Sequence, residues 1–139
     1  MKKVVLITLA VFMSAIAFGQ DAAEKINQAN AAMKEKDYAK AFSLYDDAMQ
    51  NIGDVQVEPS INYNIGFAAY KSENFESALK YFDKAIEADA NVSKSYEYKA
   101  LVYNKQENYA QAVANYEKAI ETAEDDAESM VFNAAIAAY

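Results

Sequence analysis

The sequence predicts an all-α fold built from repeated pairs of antiparallel helices, and three observations carry this prediction. A short polar turn followed by a helical alanine–aromatic–alanine series occurs three times along the chain. Its leading alanines, Ala41, Ala78 and Ala112, are 37 and then 34 residues apart. A helical pattern also precedes each turn of this 139-residue chain, for instance Tyr63, Phe67 and Tyr70 at offsets of four and three.

The composition excludes several classes of function. The chain contains no His and no Cys, so zinc sites built on these residues, His-based acid–base catalysis and disulfide scaffolds are excluded. All 13 basic residues are Lys, and the formal net charge is −8, which argues against nucleic acid as a partner. We therefore expect no catalysis and no cofactor. The length of the chain suits one modest domain.

Residues 1–19 have the pattern of a secretory signal peptide. Two lysines, Lys2 and Lys3, precede an apolar run over residues 4–18, and small residues stand at its end, at Ala17 and Gly19. A transmembrane anchor is the alternative, but it needs about 20 apolar residues. The pattern therefore predicts export to the bacterial periplasm or beyond the cell. It also predicts no stable membrane insertion once the signal is removed, and a mature chain that is more acidic after the loss of both lysines.

The elements after the signal follow one plan. Each repeat consists of a helix, a turn and a second helix whose alanine, aromatic residue and second alanine are four and three positions apart. This spacing places the three side chains on one helical face, where the small residues let a neighbouring helix approach. The turns are Lys36-Asp37-Tyr38, Glu73-Asn74-Phe75 and Glu107-Asn108-Tyr109, and the series are Ala41-Tyr45-Ala48, Ala78-Phe82-Ala85 and Ala112-Tyr116-Ala119.

These motifs resemble the tetratricopeptide repeat, a unit of about 34 residues with a Gly-x2-Tyr motif in its first helix and Ala-x3-Phe in its second. The second copy matches best, through Gly66-x2-Ala69 and Ala78-x3-Phe82, whereas the closing Pro of the family is absent from all three copies. The resemblance implies a right-handed superhelical solenoid of antiparallel helix pairs over residues 20–139. The repeats would cover residues 22–55, 59–92 and 93–127, with part of a fourth over residues 128–139.

The end of the sequence repeats an earlier helix. Residues 129–139 copy residues 60–70, including the Ser-x2-aromatic-Asn start, at an offset of 69. The segment is therefore predicted to be the first helix of a fourth repeat. Between Met130 and Tyr139 only Asn133 is polar, which is unlike the polar outer face of a terminal repeat. We expect either that the sequence is a fragment of a longer protein, which we favour, or that this uncapped helix self-associates with another chain.

The resemblance also suggests which residues line the concave surface formed by the first helices. Aromatic side chains with polar tips are common anchors at interfaces, so this surface is a candidate groove for a protein or peptide partner. The alternative interpretation is that several of these aromatic residues form interhelical core. The candidate groove residues are Asn30, Tyr63, Asn64, Phe67, Tyr70, Lys94, Tyr98 and Leu101; Glu97 and Asn104 fall on the same predicted surface.

Two sharper interpretations are disfavoured. Some members of the family hold a peptide's terminal carboxylate with five residues, of which Asn30, Asn64 and Lys94 would match three. Ile26 and Tyr98 replace the two remaining cations, so the charge-assisted hydrogen bonds would be missing. The acidic run 124–128 lacks the Gly turn and the alternating spacing of a calcium loop, and it suits the start of a helix better.

The sequence thus predicts an exported protein that binds other proteins through its concave groove and has no catalytic activity. The alternative is that the chain is the N-terminal helical-repeat module of a longer cell-envelope protein whose activity lies beyond Tyr139.

Overall fold

A computed structural model describes residues 20–53, 56–123 and 128–137. These residues form helices joined by short turns, without any strand, so the predicted all-α fold is confirmed. The predicted signal peptide and the acidic run 124–127 lie outside the described residues. The helices are α1 (20–34), α2 (Tyr38–Gln50), α3 (Ile61–Lys71), α4 (Phe75–Glu87), α5 (Val92–Lys105), α6 (Tyr109–Glu121) and α7 (Glu128–Ala137).

The three turns between paired helices share one backbone geometry. Lys36, Glu73 and Glu107 adopt left-handed conformations with φ of 61°, 62° and 59°. In the middle turn, the amide of Asn74 donates to the carbonyl of Ala69 at 2.8 Å and the amide of Glu73 donates to that of Tyr70 at 3.1 Å. The same pair of bonds closes the other two turns, which is the Schellman pattern that ends a helix. The repeated turn sequence therefore corresponds to a repeated reversal of the chain.

The chain divides into two compact units, Met1–Val57 and Glu58–Tyr139. In the first unit, α1 and α2 bury small side chains around a single aromatic ring, Tyr45, which is fully inaccessible to solvent. Lys25 of α1 forms ion pairs with Asp21 at 2.7 Å and with Asp47 of α2 at 2.8 Å. The buried residues of this pair include Ala29, Ala32, Ala41, Tyr45 and Ala48, so the predicted alanine–aromatic–alanine series is the packing face of α2.

The second unit contains α3 to α7, and each helix packs on the next along the chain. The same alanine–aromatic–alanine faces are buried here, with Phe82 of α4 and Tyr116 of α6 as the central rings. Helix α3 also contacts α5, which brings the first helices of two successive repeats together. This arrangement positions the side chains of the candidate site. No helix among the described residues has the length and apolar character needed to cross a membrane.

Candidate peptide-binding surface

Six aromatic rings from α3, α4 and α5 form one connected group in the second unit, which we call the aromatic cluster. Tyr98 of α5 lies at its centre, with its ring centroid 5.2 Å from that of Phe67 and 5.3 Å from that of Tyr70. It also stacks on Phe82, with centroids 5.7 Å apart and planes 19° apart. The members are Tyr63, Phe67, Tyr70, Phe75, Phe82 and Tyr98.

A glycine lets the aromatic cluster form. Gly66 lies one turn after Tyr63 on α3, and the ring of Phe82 occupies the space above it so closely that a β-carbon at Gly66 would lie 2.8 Å from two ring carbons. Phe82 is fully buried. The Phe82 ring fills the gap between α3 and α4. The rings of Tyr63 and Tyr98 therefore lie outside this gap and pack against Phe82, with the Tyr63 and Phe82 centroids 6.0 Å apart.

The four aromatic residues predicted to line the groove are buried to a similar extent. Tyr63, Phe67, Tyr70 and Tyr98 are all half-buried, whereas Phe82 beneath them is closed off from solvent. Each ring therefore gives part of its surface to interhelical packing and leaves part facing outward. Part of each ring is therefore interhelical core, and the groove lining remains a prediction for the part that faces outward.

Asn64 adds a polar group beside these rings. It is half-buried on α3, next to Tyr63 in the sequence, and its side-chain amide forms no hydrogen bond with the described residues. A side-chain amide offers two donors and an acceptor, which is the complement of a peptide backbone. The neighbouring Asn62 differs in that its amide nitrogen donates to the carbonyl of Pro59 at 3.4 Å.

A half-buried carboxylate, that of Glu97 on α5, lies among the tyrosines. Burial raises the pKa of Glu97, and the nearby Lys94 partly opposes that rise. Burial likewise raises the pKa of Tyr63 far above its usual value, with further contributions from Tyr98 and from Glu97 itself. The pKa of Tyr116 is raised by burial and then by Glu97. A partly desolvated carboxylate therefore lies close to Tyr63 and Tyr116, on a helix that also carries Lys94, Lys99 and Lys105.

The structure places the remaining predicted groove residues in different surroundings. Lys94 is exposed at the start of α5, and Leu101 packs against the buried cluster that contains Ala100 and Tyr116. Asn30 belongs to the first unit, where its side-chain oxygen accepts a hydrogen bond of 2.5 Å from the hydroxyl of Tyr45. The described second unit therefore brings together Tyr63, Asn64, Phe67, Tyr70, Tyr98 and, further along α5, Leu101.

Two residues that contribute to this surface, Phe82 and Glu97, were not among the candidate site residues predicted from the sequence. Phe82 was assigned only to the packing of its own repeat, yet it supports the rings of Tyr63 and Tyr98. Glu97 fell on the predicted inner surface but was not chosen as a candidate site residue. Its position three residues after Lys94 and one before Tyr98 was the available signal, because it places a charge next to the central ring. No group of residues suited to holding a metal ion occurs in the part of the chain that the structure describes.

The comparisons with known proteins agree with this architecture. Helical hairpins with alanine–aromatic–alanine faces define a class of repeat protein, and the sequence model of the family described as tetratricopeptide repeat matches residues 57–125. A curated relative, an NADPH oxidase activator from Dictyostelium discoideum, is 39% identical over 49 residues. That match covers 35% of this chain, and the chain spans only 8% of the relative's length. The tetratricopeptide-repeat family is thus supported for the greater part of the described second unit.

Solved structures extend the likeness of the fold to most of the chain. The tetratricopeptide-repeat domain of Sgt2 from Aspergillus fumigatus is 27% identical with a TM-score of 0.63, covering 84% of this chain and 76% of that one. The N-terminal domain of stress-induced protein-1 from C. elegans is 20% identical with a TM-score of 0.67, covering 88% and 98%. The first such domain of Spaghetti (RPAP3), bound to an HSP90 peptide, is 18% identical with a TM-score of 0.67, covering 86% and 94%. The fold is that of a tetratricopeptide-repeat solenoid.

Proposed function

We propose that the protein is a binding module that holds a peptide segment of another protein on the outward surface of α3 and α5, without catalysis. The observation that carries the proposal is the half-buried aromatic cluster, with the side-chain amide of Asn64 beside it and no hydrogen bond from that amide to the described residues. Half-exposed rings offer apolar area at little cost in side-chain entropy, and the amide offers hydrogen bonds to a peptide backbone.

Similarity to peptide-binding domains supports the general class of function. The Spaghetti (RPAP3) domain was solved with the HSP90 peptide SRMEEVD, in which three of the seven residues are acidic, including the last. An acidic peptide suits the present surface poorly, because the Glu97 carboxylate lies close to Tyr63 and because, by the family resemblance, Tyr98 replaces one of the cations that would hold a terminal carboxylate. We therefore propose a peptide without an acidic terminus, anchored by apolar side chains against Tyr63, Phe67 and Tyr98.

The test uses peptides selected from a random displayed library on the purified protein. Binding of the selected peptides is then measured for Asn64→Ala and for Asn62→Ala, two substitutions of the same residue type two positions apart on α3. We expect Asn64→Ala to weaken binding by about tenfold, which corresponds to about 1.4 kcal/mol and to the loss of a backbone-directed hydrogen bond. Asn62→Ala should leave the affinity unchanged.

A second substitution addresses the rings themselves. Phe67→Ala removes apolar surface from the outer part of the aromatic cluster, and its thermal unfolding is recorded beside that of wild type. We expect a folded variant with at least about a tenfold loss of peptide affinity. Selected peptides that bind Asn64→Ala and Phe67→Ala as tightly as wild type would place the binding surface elsewhere and contradict the proposal. The peptide SRMEEVD serves as the acidic control and is expected to bind weakly.

We further propose that the protein acts after export, as the charged, apolar and small-residue pattern of residues 1–19 predicts. The mature chain would begin close to Gln20, and N-terminal sequencing of the protein from its native host tests this; a retained Met1 would contradict it.

The alternative role, a repeat module within a longer cell-envelope protein, is favoured by the curated relative, in which the match is a small part of a much longer chain. Reading the gene past Tyr139 distinguishes the two.

A further inference from the structure

One face of α5 contributes a single carboxylate, that of Glu97, to the candidate surface. At about 100° of rotation per residue, the side chains between positions 94 and 104 that share this face fall within one arc of about 120°. We call this arc the Glu97 face; its members are Lys94, Glu97, Tyr98, Leu101 and Asn104. Glu97 is half-buried, so part of its hydration is lost in the folded protein.

Tyrosines of two neighbouring helices lie close to this carboxylate. Burial is the main cause of the raised pKa of Tyr63 on α3 and of Tyr116 on α6, and the charge of Glu97 contributes to the rise in both. No hydrogen bond reaches the Glu97 carboxylate from the described residues. The side-chain amide of Asn104, on the same face, donates instead to the hydroxyl of Tyr116 at 3.5 Å.

The lysines of α5 leave Glu97 without an ion pair among the described residues. Lys99 is paired with Asp83 of α4. Lys94 is exposed, and its charge only partly opposes the effect of burial on the pKa of Glu97. Lys105 is exposed eight residues after Glu97, about 12 Å further along the helix axis. A partly desolvated carboxylate with no donor bound to it is unfavourable, and a cation supplied from outside would offset that cost.

The rings beside Glu97 also favour a cation. The faces of aromatic rings carry negative electrostatic potential and attract ammonium and guanidinium groups within about 6 Å. The aromatic cluster already shows one such contact, because the Nζ atom of Lys71 lies 5.8 Å from the ring centroid of Phe67. A cation held by Glu97 would lie close to Tyr63, another ring of the same cluster.

We propose that the peptide bound on the aromatic cluster presents a Lys or Arg side chain whose cation pairs with the carboxylate of Glu97 beside Tyr63. This inference rests on the proposed function, since it names the chemistry by which that surface selects its peptide. The pair would form charge-assisted hydrogen bonds in a partly desolvated site, where they are stronger than in water. Apolar side chains of the peptide would provide contact area, and the cation would provide selectivity.

The probes are the peptides selected on the purified protein from the random displayed library, resynthesised with a fluorophore. In each peptide, every Lys or Arg is replaced singly by norleucine, which keeps an unbranched apolar chain and removes the charge. We expect the selected peptides to contain Lys or Arg, and one such replacement to weaken binding to wild type by about tenfold. Fluorescence polarisation measures the affinity.

Glu97→Gln completes a double-mutant cycle with the norleucine peptides. The variant should bind the unmodified peptide about tenfold more weakly than wild type does, and the norleucine replacement should then have little further effect. Glu117→Gln is the matched control, because it removes an exposed negative charge from α6 and should leave the affinity unchanged. Circular dichroism checks that Glu97→Gln keeps its helices, as expected for a neutral side chain of nearly the same shape.

The outcomes separate this inference from the proposed function. Peptides that depend on Asn64 and Phe67 but bind Glu97→Gln as tightly as wild type would overturn the inference and leave the proposed function standing. Selected peptides without Lys or Arg, or a norleucine replacement that weakens binding to Glu97→Gln as much as to wild type, would overturn it in the same way. Peptides that bind Asn64→Ala and Phe67→Ala as tightly as wild type would contradict the proposed function, and this inference with it.

Discussion

At the scale of single residues, Glu97 carries the clearest electrostatic consequence. Burial raises its pKa above the ordinary value of 4.5, with Lys94 opposing the rise. The native state therefore holds a proton on this carboxyl more tightly than the unfolded state does. This contribution to stability is fully present below pH 4.5 and is lost as the pH rises through the folded pKa. At pH 7 the ionised carboxylate thus lowers the free energy of unfolding.

Glu97→Gln is expected to increase the free energy of unfolding at pH 7, because it removes a partly desolvated charge. The gain should be less than about 1 kcal/mol, since solvent screens a half-buried carboxylate. Urea unfolding of wild type and variant at pH 7 and at pH 4 measures it, and the difference should shrink at pH 4. Exposed Glu117→Gln on α6 is the control and should show little change at either pH. A wild type more stable than Glu97→Gln at pH 7 would mean that the carboxylate is stabilised by a partner.

Residue identity predicted some of these roles and not others. The spacing of Ala41, Tyr45 and Ala48 predicted their shared packing face, because a helix fixes which side chains lie together. The environment of Glu97 was not predictable in the same way. Its electrostatic neighbours include Tyr63, which lies 34 residues earlier in the sequence and on another helix. Long-range packing of this kind leaves no local pattern.

At the scale of helices, the approach of α4 to α3 depends on the missing side chain of Gly66. Two effects oppose each other when Ala replaces this glycine. The helix propensity of Ala favours the variant by about 1 kcal/mol. Against this, the new β-carbon would lie 2.8 Å from a fully buried ring that is stacked on Tyr98 and has little freedom to move. Overpacking of a core costs about 1–3 kcal/mol, so the steric effect should dominate.

Gly66→Ala is therefore expected to lower the free energy of unfolding by about 1 kcal/mol. The measurement is urea unfolding of wild type, Gly66→Ala, Phe82→Leu and the double variant, analysed as a double-mutant cycle. In the Phe82→Leu background the ring is absent, so Gly66→Ala should become neutral or stabilising. A Gly66→Ala variant more stable than wild type would show that the ring shifts freely. At the equivalent position of α5 the chain has Ala100, and its methyl group is buried in the same cluster as the ring of Tyr116.

The helices and their turns were the most predictable level of the structure. Each of the three turns places a non-glycine residue in the left-handed conformation, with a polar residue directly after it. The recurrence of Asp or Asn at this point, and of an aromatic residue next, was sufficient to locate the reversals. The apolar character of α7 was also predictable, because between Met130 and Tyr139 only Asn133 is polar. Which half of α7 would be covered was not, since that choice is made by contacts with Ala100, Ala112 and Tyr116.

At the scale of the whole molecule, the chain consists of two compact units, each with a buried core of its own. The first unit depends on one large buried side chain, Tyr45, whose hydroxyl donates to the side-chain oxygen of Asn30 at 2.5 Å. The second unit has a counterpart in Tyr116, but there the amide nitrogen of Asn104 donates to the hydroxyl at 3.5 Å, the limit of a hydrogen bond. In repeat proteins, the free energy of unfolding is approximately the sum of contributions from each repeat and from the interfaces between neighbours. A destabilising substitution therefore acts mainly on the repeat that contains it.

Tyr45→Phe is expected to lower the stability of the first unit by about 1 kcal/mol, because a short hydrogen bond is lost while Asn30, which is exposed, can bond to water instead. Tyr116→Phe, the matched change in the second unit, should cost less because its hydrogen bond is longer. Native-state hydrogen exchange resolves the two units: Tyr45→Phe should speed the exchange of amides in α1 and α2 and leave those of α5 and α6 at their wild-type rates. Equal acceleration throughout the chain would instead show that the molecule unfolds as a single cooperative body. Because the proposed peptide site lies in the second unit, Tyr45→Phe should also leave peptide binding unchanged.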